Sequence, residues 1–156
     1  MKILMIGAKN SGKSTTAYNI FKNSDCCGII CLPVFKNGIK IGSDAIRMDN
    51  KKRIKFSRTK RYADFEGIKV GKYVINKEGI KFCINAIDEG IRKRKLVVID
   101  EFGILEKNKK GLYRAIKRAI ESENDLFLIL RKSLEKDFLK IFPYDFEIIY
   151  KKKMSI

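Results

Sequence analysis

The chain has 156 residues, 45% of them hydrophobic and 34% charged, which suffices for one core but not for separate catalytic and regulatory domains. Its 35 Lys and Arg against 18 Asp and Glu leave a formal charge of +17, a footprint suited to phosphates on nucleotides, nucleic acid or an anionic surface. With no His, the chain excludes an imidazole base, a Ser-His or Cys-His nucleophile pair and imidazole metal ligands.

Lys outnumbers Arg, Trp is absent and Pro numbers 2, a profile that also fits a heat-adapted proteome, so part of the charge is proteome bias. No apolar run approaches the ~20 residues of a membrane helix, and Met1-Lys2-Ile3 leads into strand-like sequence without a cleavable signal pattern. The expectation is a cytoplasmic monomer with no membrane partner. Cys26, Cys27, Cys31 and Cys83 lack C-x-x-C spacing and read as core thiols.

In chain order, Lys2–Ile6 is a short apolar strand, Gly7–Gly12 a polar turn, and Ser14–Phe21 a helix with Ala17, Ile20 and Phe21 on one face. From about 28 to 61 the pattern becomes short alternating runs, separated by Lys36-Asn37-Gly38 and Asp49-Asn50-Lys51, which predicts an antiparallel β-hairpin insert. Val70–Ile75 is read as one strand ended by Asn76, a good N-cap for a helix over Lys77–Arg92 that repeats Ile80, Ile84, Ile87 and Ile91. Leu96–Ile99 is an apolar run of a strand buried on both faces; Leu112, Ile116, Ala119 and Ile120 give another helix, and Leu126–Leu130 a second buried strand. Ser133 is expected to cap a short helix through Leu139, Phe146–Tyr150 to form the last strand, and Lys151–Lys153 to be a frayed basic tail. The expected fold is α/β over a single domain, 1–156, with a central, mostly parallel sheet flanked by helices. Whether the Leu96 strand lies beside the first strand or one place away stays open.

Gly7-Ala8-Lys9-Asn10-Ser11-Gly12-Lys13-Ser14 matches the Walker A pattern G-x-x-x-x-G-K-[ST] between a strand and a helix, where a phosphate loop (P-loop) belongs. Gly7 and Gly12 permit backbone angles that turn amides toward a β-phosphate, and the helix N-terminus adds its positive dipole end. Lys13 reaches the β and γ oxygens, Ser14 is a Mg²⁺ ligand, and Thr15 completes the nucleotide-binding segment. A carboxylate at the tip of a neighbouring strand completes such a metal shell, and Asp100 after Leu96-Val97-Val98-Ile99 supplies it. Glu101, pointing differently, is the group to polarise an attacking water; at an unperturbed pKa of about 4.3 it is expected to stay ionised. Asp100-Glu101-Phe102-Gly103 satisfies the D-x-x-G of regulatory GTPases, but Arg131-Lys132-Ser133-Leu134 stands where an N-K-x-D guanine reader is required. A guanine-specific switch is thereby disfavoured.

The loop, the Gly-led β segment from Gly28, Val70-Gly71-Lys72-Tyr73-Val74-Ile75-Asn76 before a helix, and Val98-Ile99-Asp100-Glu101-Phe102-Gly103-Ile104-Leu105-Glu106 together resemble the small thermophilic nucleoside-triphosphatases, relatives of a human cancer-related NTPase. The resemblance covers most of the chain. It implies a P-loop fold and Mg²⁺-dependent hydrolysis of several nucleoside triphosphates, ATP and GTP among them. It also implies that Leu96–Gly103 lies along the nucleotide, and that Arg131 matches a basic residue the family carries near this point, a candidate catalytic cation beside Glu101 and Lys13. Two features depart from the family: the apolar Cys31-Leu32-Pro33-Val34-Phe35 replaces an E-x-R style segment, and Lys151-Lys152-Lys153-Met154-Ser155-Ile156 replaces an Asn-Arg ending.

Between Lys36 and Arg61, ten basic residues face only Asp44 and Asp49. Phe35, Phe56 and Tyr62 are interleaved with them, so single-stranded nucleic acid is a second candidate partner. Three readings stay open beside the triphosphatase: a nucleotide or nucleoside kinase, an ATP-dependent nucleic-acid-binding module, and a non-hydrolysing nucleotide sensor.

Overall fold

In a computed structural model, which describes residues 1–152, nine strands form one sheet: β1 (Lys2–Gly7), β2 (Cys26–Lys36), β3 (Ile39–Arg47), β4 (Arg53–Thr59), β5 (Gly67–Val70), β6 (Tyr73–Asn76), β7 (Leu96–Ile99), β8 (Leu126–Arg131) and β9 (Glu147–Lys151). Their order is β5-β6-β4-β3-β2-β7-β8-β1-β9. The run from β2 through β7, β8 and β1 to β9 is parallel, whereas β2-β3, β3-β4, β4-β6 and β6-β5 are antiparallel. The sheet is therefore evenly mixed. Its parallel half matches the expected α/β core, and β8 separates β7 from β1.

The insert is no separate hairpin. Its first strand, β2, pairs in parallel with β7 through Cys26–Ile29 and then turns antiparallel company with β3, so one strand belongs to both halves. The Val70–Ile75 expectation also changes. Gly71 and Lys72 form a two-residue turn between β5 and β6, because the pairing of Val70 with Tyr73 folds the segment back on itself.

Five helices cover the sheet: α1 (Lys13–Phe21), α2 (Lys77–Arg92), α3 (Ile104–Lys107), α4 (Tyr113–Glu121) and α5 (Glu135–Ile141). Strand alternation sorts the core into two layers. Leu4 and Ile6 of β1, Val97 and Ile99 of β7, and Leu126, Leu128 and Leu130 of β8 pack with Cys83 and Ile87 of α2, Ile116 of α4 and Phe138 of α5. Met5, Val98, Phe127 and Ile129 face the other way, toward Ala17 of α1.

Asn76 caps α2 as expected, its side chain accepting from the Glu78 amide at 3.1 Å. Ser133 does not cap: it lies inside a 3-10 turn, Lys132–Leu134, and α5 begins after Leu134. Of the expected basic tail, Lys151 is the last residue of β9, and Lys153 with the rest of the 153–156 ending lies outside the described residues. Among the described residues no helix is long and apolar enough to cross a membrane.

Candidate active site

The site forms at the carboxyl ends of β1, β8 and β7, where parallel sheets leave a crevice. Leaving β1 at Gly7, the chain turns through Asn10 at φ 61° and Gly12 at φ 82° before α1 starts at Lys13. Gly12 meets the expectation for the loop. Asn10 is a second left-handed residue that the sequence reading had assigned no conformational role, although Asn tolerates that region better than most residues. Gly7 acts through space instead: a Cβ there would stand 2.9 Å from both the Lys151 carbonyl and Ser11 Oγ.

Ala8, Lys9, Asn10 and Gly12 are exposed around the mouth of the loop, while Ser11 is buried. Ser11 Oγ is the one buried side-chain polar atom without a hydrogen-bond partner among the described residues. Lys13 bends back so that Nζ donates to the Ala8 carbonyl at 2.7 Å. Burial lowers its pKa, with Asp100 acting in the opposite sense. An orphaned hydroxyl and a lysine held only by a loop carbonyl leave donors ready for an anion. Ser14 is half-buried at the start of α1, and Thr15 is exposed on the next step of the helix.

Asp100 and Glu101 follow β7 directly, and alternation separates them. Asp100 is buried, accepts from the Cys31 amide at 3.0 Å, and has the Ser14 hydroxyl beside it. Burial pushes its carboxyl up to about 7, against the pull of Ser14, Cys31, Lys13 and Lys40. Glu101 turns to the opposite layer, where burial, then the Glu106 and Asp100 carboxylates, raise it. Glu101 is therefore not the ordinary carboxylate expected: burial first, and the neighbouring acids second, raise it above its usual range. A cavity of about 30 Å³ adjoins Glu101, lined also by Phe56, Ile75 and Glu106, above the ~10–15 Å³ that one water requires.

Glu106 has a structural task that the sequence does not reveal. It is 3% exposed; the Gly103 amide donates to its Oε1 and the Leu112 amide to its Oε2, each at 2.8 Å. It thus closes the turn that carries Glu101. Gly103 lies in that turn, its backbone facing the Glu101 carboxylate. Phe102 is not a ligand contact: it is 4% exposed and packs edge-on against Phe138 with centroids 5.0 Å apart. Val97, Val98 and Ile99 are likewise interior, each at 0%. Leu96 starts β7 at the far end of the sheet, on a separate groove with Arg94 and Asp125. Of the Leu96–Gly103 segment, Asp100, Glu101 and Gly103 are the residues at the carboxyl end of β7 that do not pack into the apolar core.

Arg131 ends β8 and pairs in register with Gly7, so β8 delivers a cation between the loop and the carboxylates. It is exposed, and its charge acts on Lys13 and on Glu101. The basic insert is different. Arg47 pairs with Asp49 and Glu89, Arg53 and Arg58 with Asp44, and Lys55 with Asp64, so part of its charge is neutralised within the fold.

The chain and its fold have counterparts among known proteins. The nucleoside-triphosphatase THEP1 of Thermotoga petrophila is 23% identical over 156 residues, covering 96% of this chain and 83% of the relative. The crystal structure of THEP1 from Aquifex aeolicus superimposes with a TM-score of 0.76 at 20% identity, covering 97% of this chain and 90% of that one. The solution structure of a human cancer-related nucleoside triphosphatase gives 0.69 at 17%, covering 96% and 87%. The sequence profile of the NTPase family matches residues 2–150, nearly the whole described chain, and with the phosphate loop and the two carboxylates in place the chain belongs to that family of enzymes.

Proposed function

We propose that the protein hydrolyses nucleoside triphosphates, ATP and GTP among them, to the diphosphate and phosphate in a Mg²⁺-dependent reaction. The observation that carries this reading is the meeting of the phosphate loop, with its orphaned Ser11 hydroxyl and folded-back Lys13, and the Asp100–Glu101 pair two strands away.

The donor set suits magnesium. Ser14 and Asp100 offer a hydroxyl and a carboxylate, hard oxygens from opposite walls, and among the described residues no trio of His, Cys, Asp or Glu forms a cage. A cation held by so few protein groups takes its remaining ligands from water and phosphate, as magnesium does. When bound, it neutralises charge on the phosphate oxygens.

The chain's own groups do the rest. The loop amides and Lys13 hold the β- and γ-phosphates, and Gly7 keeps the cradle open. Glu101, beside a water-sized cavity, orients a water and accepts its proton; a carboxylate raised above its usual range is the stronger base. Arg131 stabilises the charge spread over the transferred group. The region after β7 is filled by α4, whose Ala115, Ile116, Ala119 and Ile120 pack into the core, which favours water over a second nucleotide as acceptor. Four free, buried cysteines suit a reducing compartment, and a cytoplasmic monomer is the setting we propose.

Phosphate release from ATP, GTP, CTP and UTP with and without Mg²⁺ tests the reading. Lys13→Ala and Glu101→Gln are each expected to lower kcat by about 10²-fold or more. Wild-type turnover in either variant would overturn the assignment.

A further inference from the structure

The β2–β3 arm places one more cation at this site. The last β2–β7 pair is Ile29 with Ile99, so residues 30–36 of β2 run on past the end of β7 that carries Asp100. The Cys31 amide, bonded to Asp100, fixes the start of this overhang to the site. β3 returns antiparallel, and Lys40 stands opposite Phe35 within the overhang.

Lys40 differs from its neighbours on the arm. Arg47, Arg53, Lys55 and Arg58 have carboxylate partners, and Lys36 lies over the Tyr62 ring. Lys40 is half-buried, and among the described residues its ammonium makes neither a hydrogen bond nor an ion pair. The charges close enough to act on its ammonium are Glu101, Lys9, Arg131 and Asp100, all of them site residues. Burial outweighs the carboxylates and lowers its pKa. A half-desolvated ammonium without a fixed partner is costly, and an arriving anion removes that cost.

Strand order sets the direction of approach. β1 with its loop lies on one side of β7, and β2 with β3 on the other. The arm and the loop therefore flank Asp100 and Glu101 from opposite sides.

We propose that Lys40 is a catalytic residue of this site, its ammonium contacting the terminal phosphoryl group of the bound nucleoside triphosphate from the side opposite the phosphate loop. The inference rests on the triphosphatase reading for the identity of the ligand. Lys9, Lys13, Arg131 and Lys40 then surround two carboxylates, a surplus of positive charge that the triphosphate fills. In the loose transition state of phosphoryl transfer, charge on the terminal oxygens is stabilised by such a cation at no cost in reorganisation. The contact also distinguishes a triphosphate from a diphosphate, since the diphosphate has no group at that position.

The test compares binding of ADP with binding of an ATP analogue whose β,γ-bridge resists cleavage, both with Mg²⁺, and adds phosphate release from ATP. Lys40→Gln is expected to weaken the analogue about tenfold, to leave ADP within about twofold, and to lower kcat about tenfold or more. Lys40→Arg restores the preference for the analogue, and Lys36→Gln changes nothing. Lys40→Met keeps the side-chain stem and repeats the comparison should Lys40→Gln lose its thermal transition. Equal weakening of ADP and analogue, or no change in either, overturns the role of Lys40 while Lys13→Ala still abolishes turnover. If the wild type releases no phosphate but Lys40→Gln selectively loses the analogue, the hydrolase reading fails and the Lys40 contact stands.

Discussion

The two halves of the sheet handle charge in opposite ways. In the antiparallel half, Arg58 is buried yet fully occupied, donating to Asp44 and to the Ser43 and Ser57 carbonyls, and Arg47 bridges Asp49 and Glu89. In the parallel half, the cations at the strand ends, Lys13 and Arg131, have no carboxylate partner among the described residues. The same residue types are thus tied into the framework at Arg47 and Arg58 and left without a carboxylate at Lys13 and Arg131, with Lys40 the exception on the antiparallel arm. A surplus of Lys and Arg says little until each cation is matched with its partner; Lys13, Arg131 and Lys40 are among those without one, and they converge on the Asp100–Glu101 end of β7.

The largest effect is expected at the joint between the halves. Gly28 in β2 has φ 96°, and a Cβ there would lie 2.0 Å from the Val98 carbonyl of β7. Gly28→Ala combines a left-handed alanine with a backbone collision, and should cost about 3 kcal/mol or more of stability in urea unfolding. A loss under about 1 kcal/mol would mean that the halves are not locked through this contact.

Next in size, Arg131→Ala is expected to lower kcat about tenfold with little change in the unfolding midpoint, because the side chain is exposed and bonded to nothing in the fold. Unchanged turnover would remove Arg131 from the chemistry and make it an ordinary strand-end charge.

The smallest effect belongs to the antiparallel half at low pH. Lys93 and Arg47 pull Glu89 from its usual 4.5 down to about 2. A carboxyl depressed in the folded state stabilises above its unfolded pKa, and that contribution is lost as pH falls from about 4.5 toward 2. Glu89→Gln should therefore flatten the acid side of the stability profile and leave turnover at neutral pH unchanged. A profile of unchanged steepness would show that the ion pairs of this half are only decorative.

Local signals made parts of both halves legible. The phosphate loop, the run Leu96–Ile99 ending in Asp100, and the capping Asn76 each state their conformation within a few residues. The antiparallel half was less so, because pairing is nonlocal: nothing near Gly28 tells that β2 lies against a strand some seventy residues on, and Gly71-Lys72 reads as strand interior until Val70 is seen opposite Tyr73. At the site, Asp100 and Glu101 could be named from their place after an apolar run. Burial of Glu101 beside Glu106 could not, since it depends on α3 folding back. Lys40 was one of ten basic residues in its segment, and only the overhang of β2 past β7 singles it out.

The position of β1 also bears on how the molecule is made. β1 leaves the ribosome well before its two sheet neighbours, β8 and β9, and the Gly7 backbone lies against the Lys151 carbonyl. Contacts so far apart in sequence form slowly. A growing chain therefore exposes an unsupported phosphate-loop strand until β8 and β9 have been made, and gains a finished nucleotide cradle only when they dock.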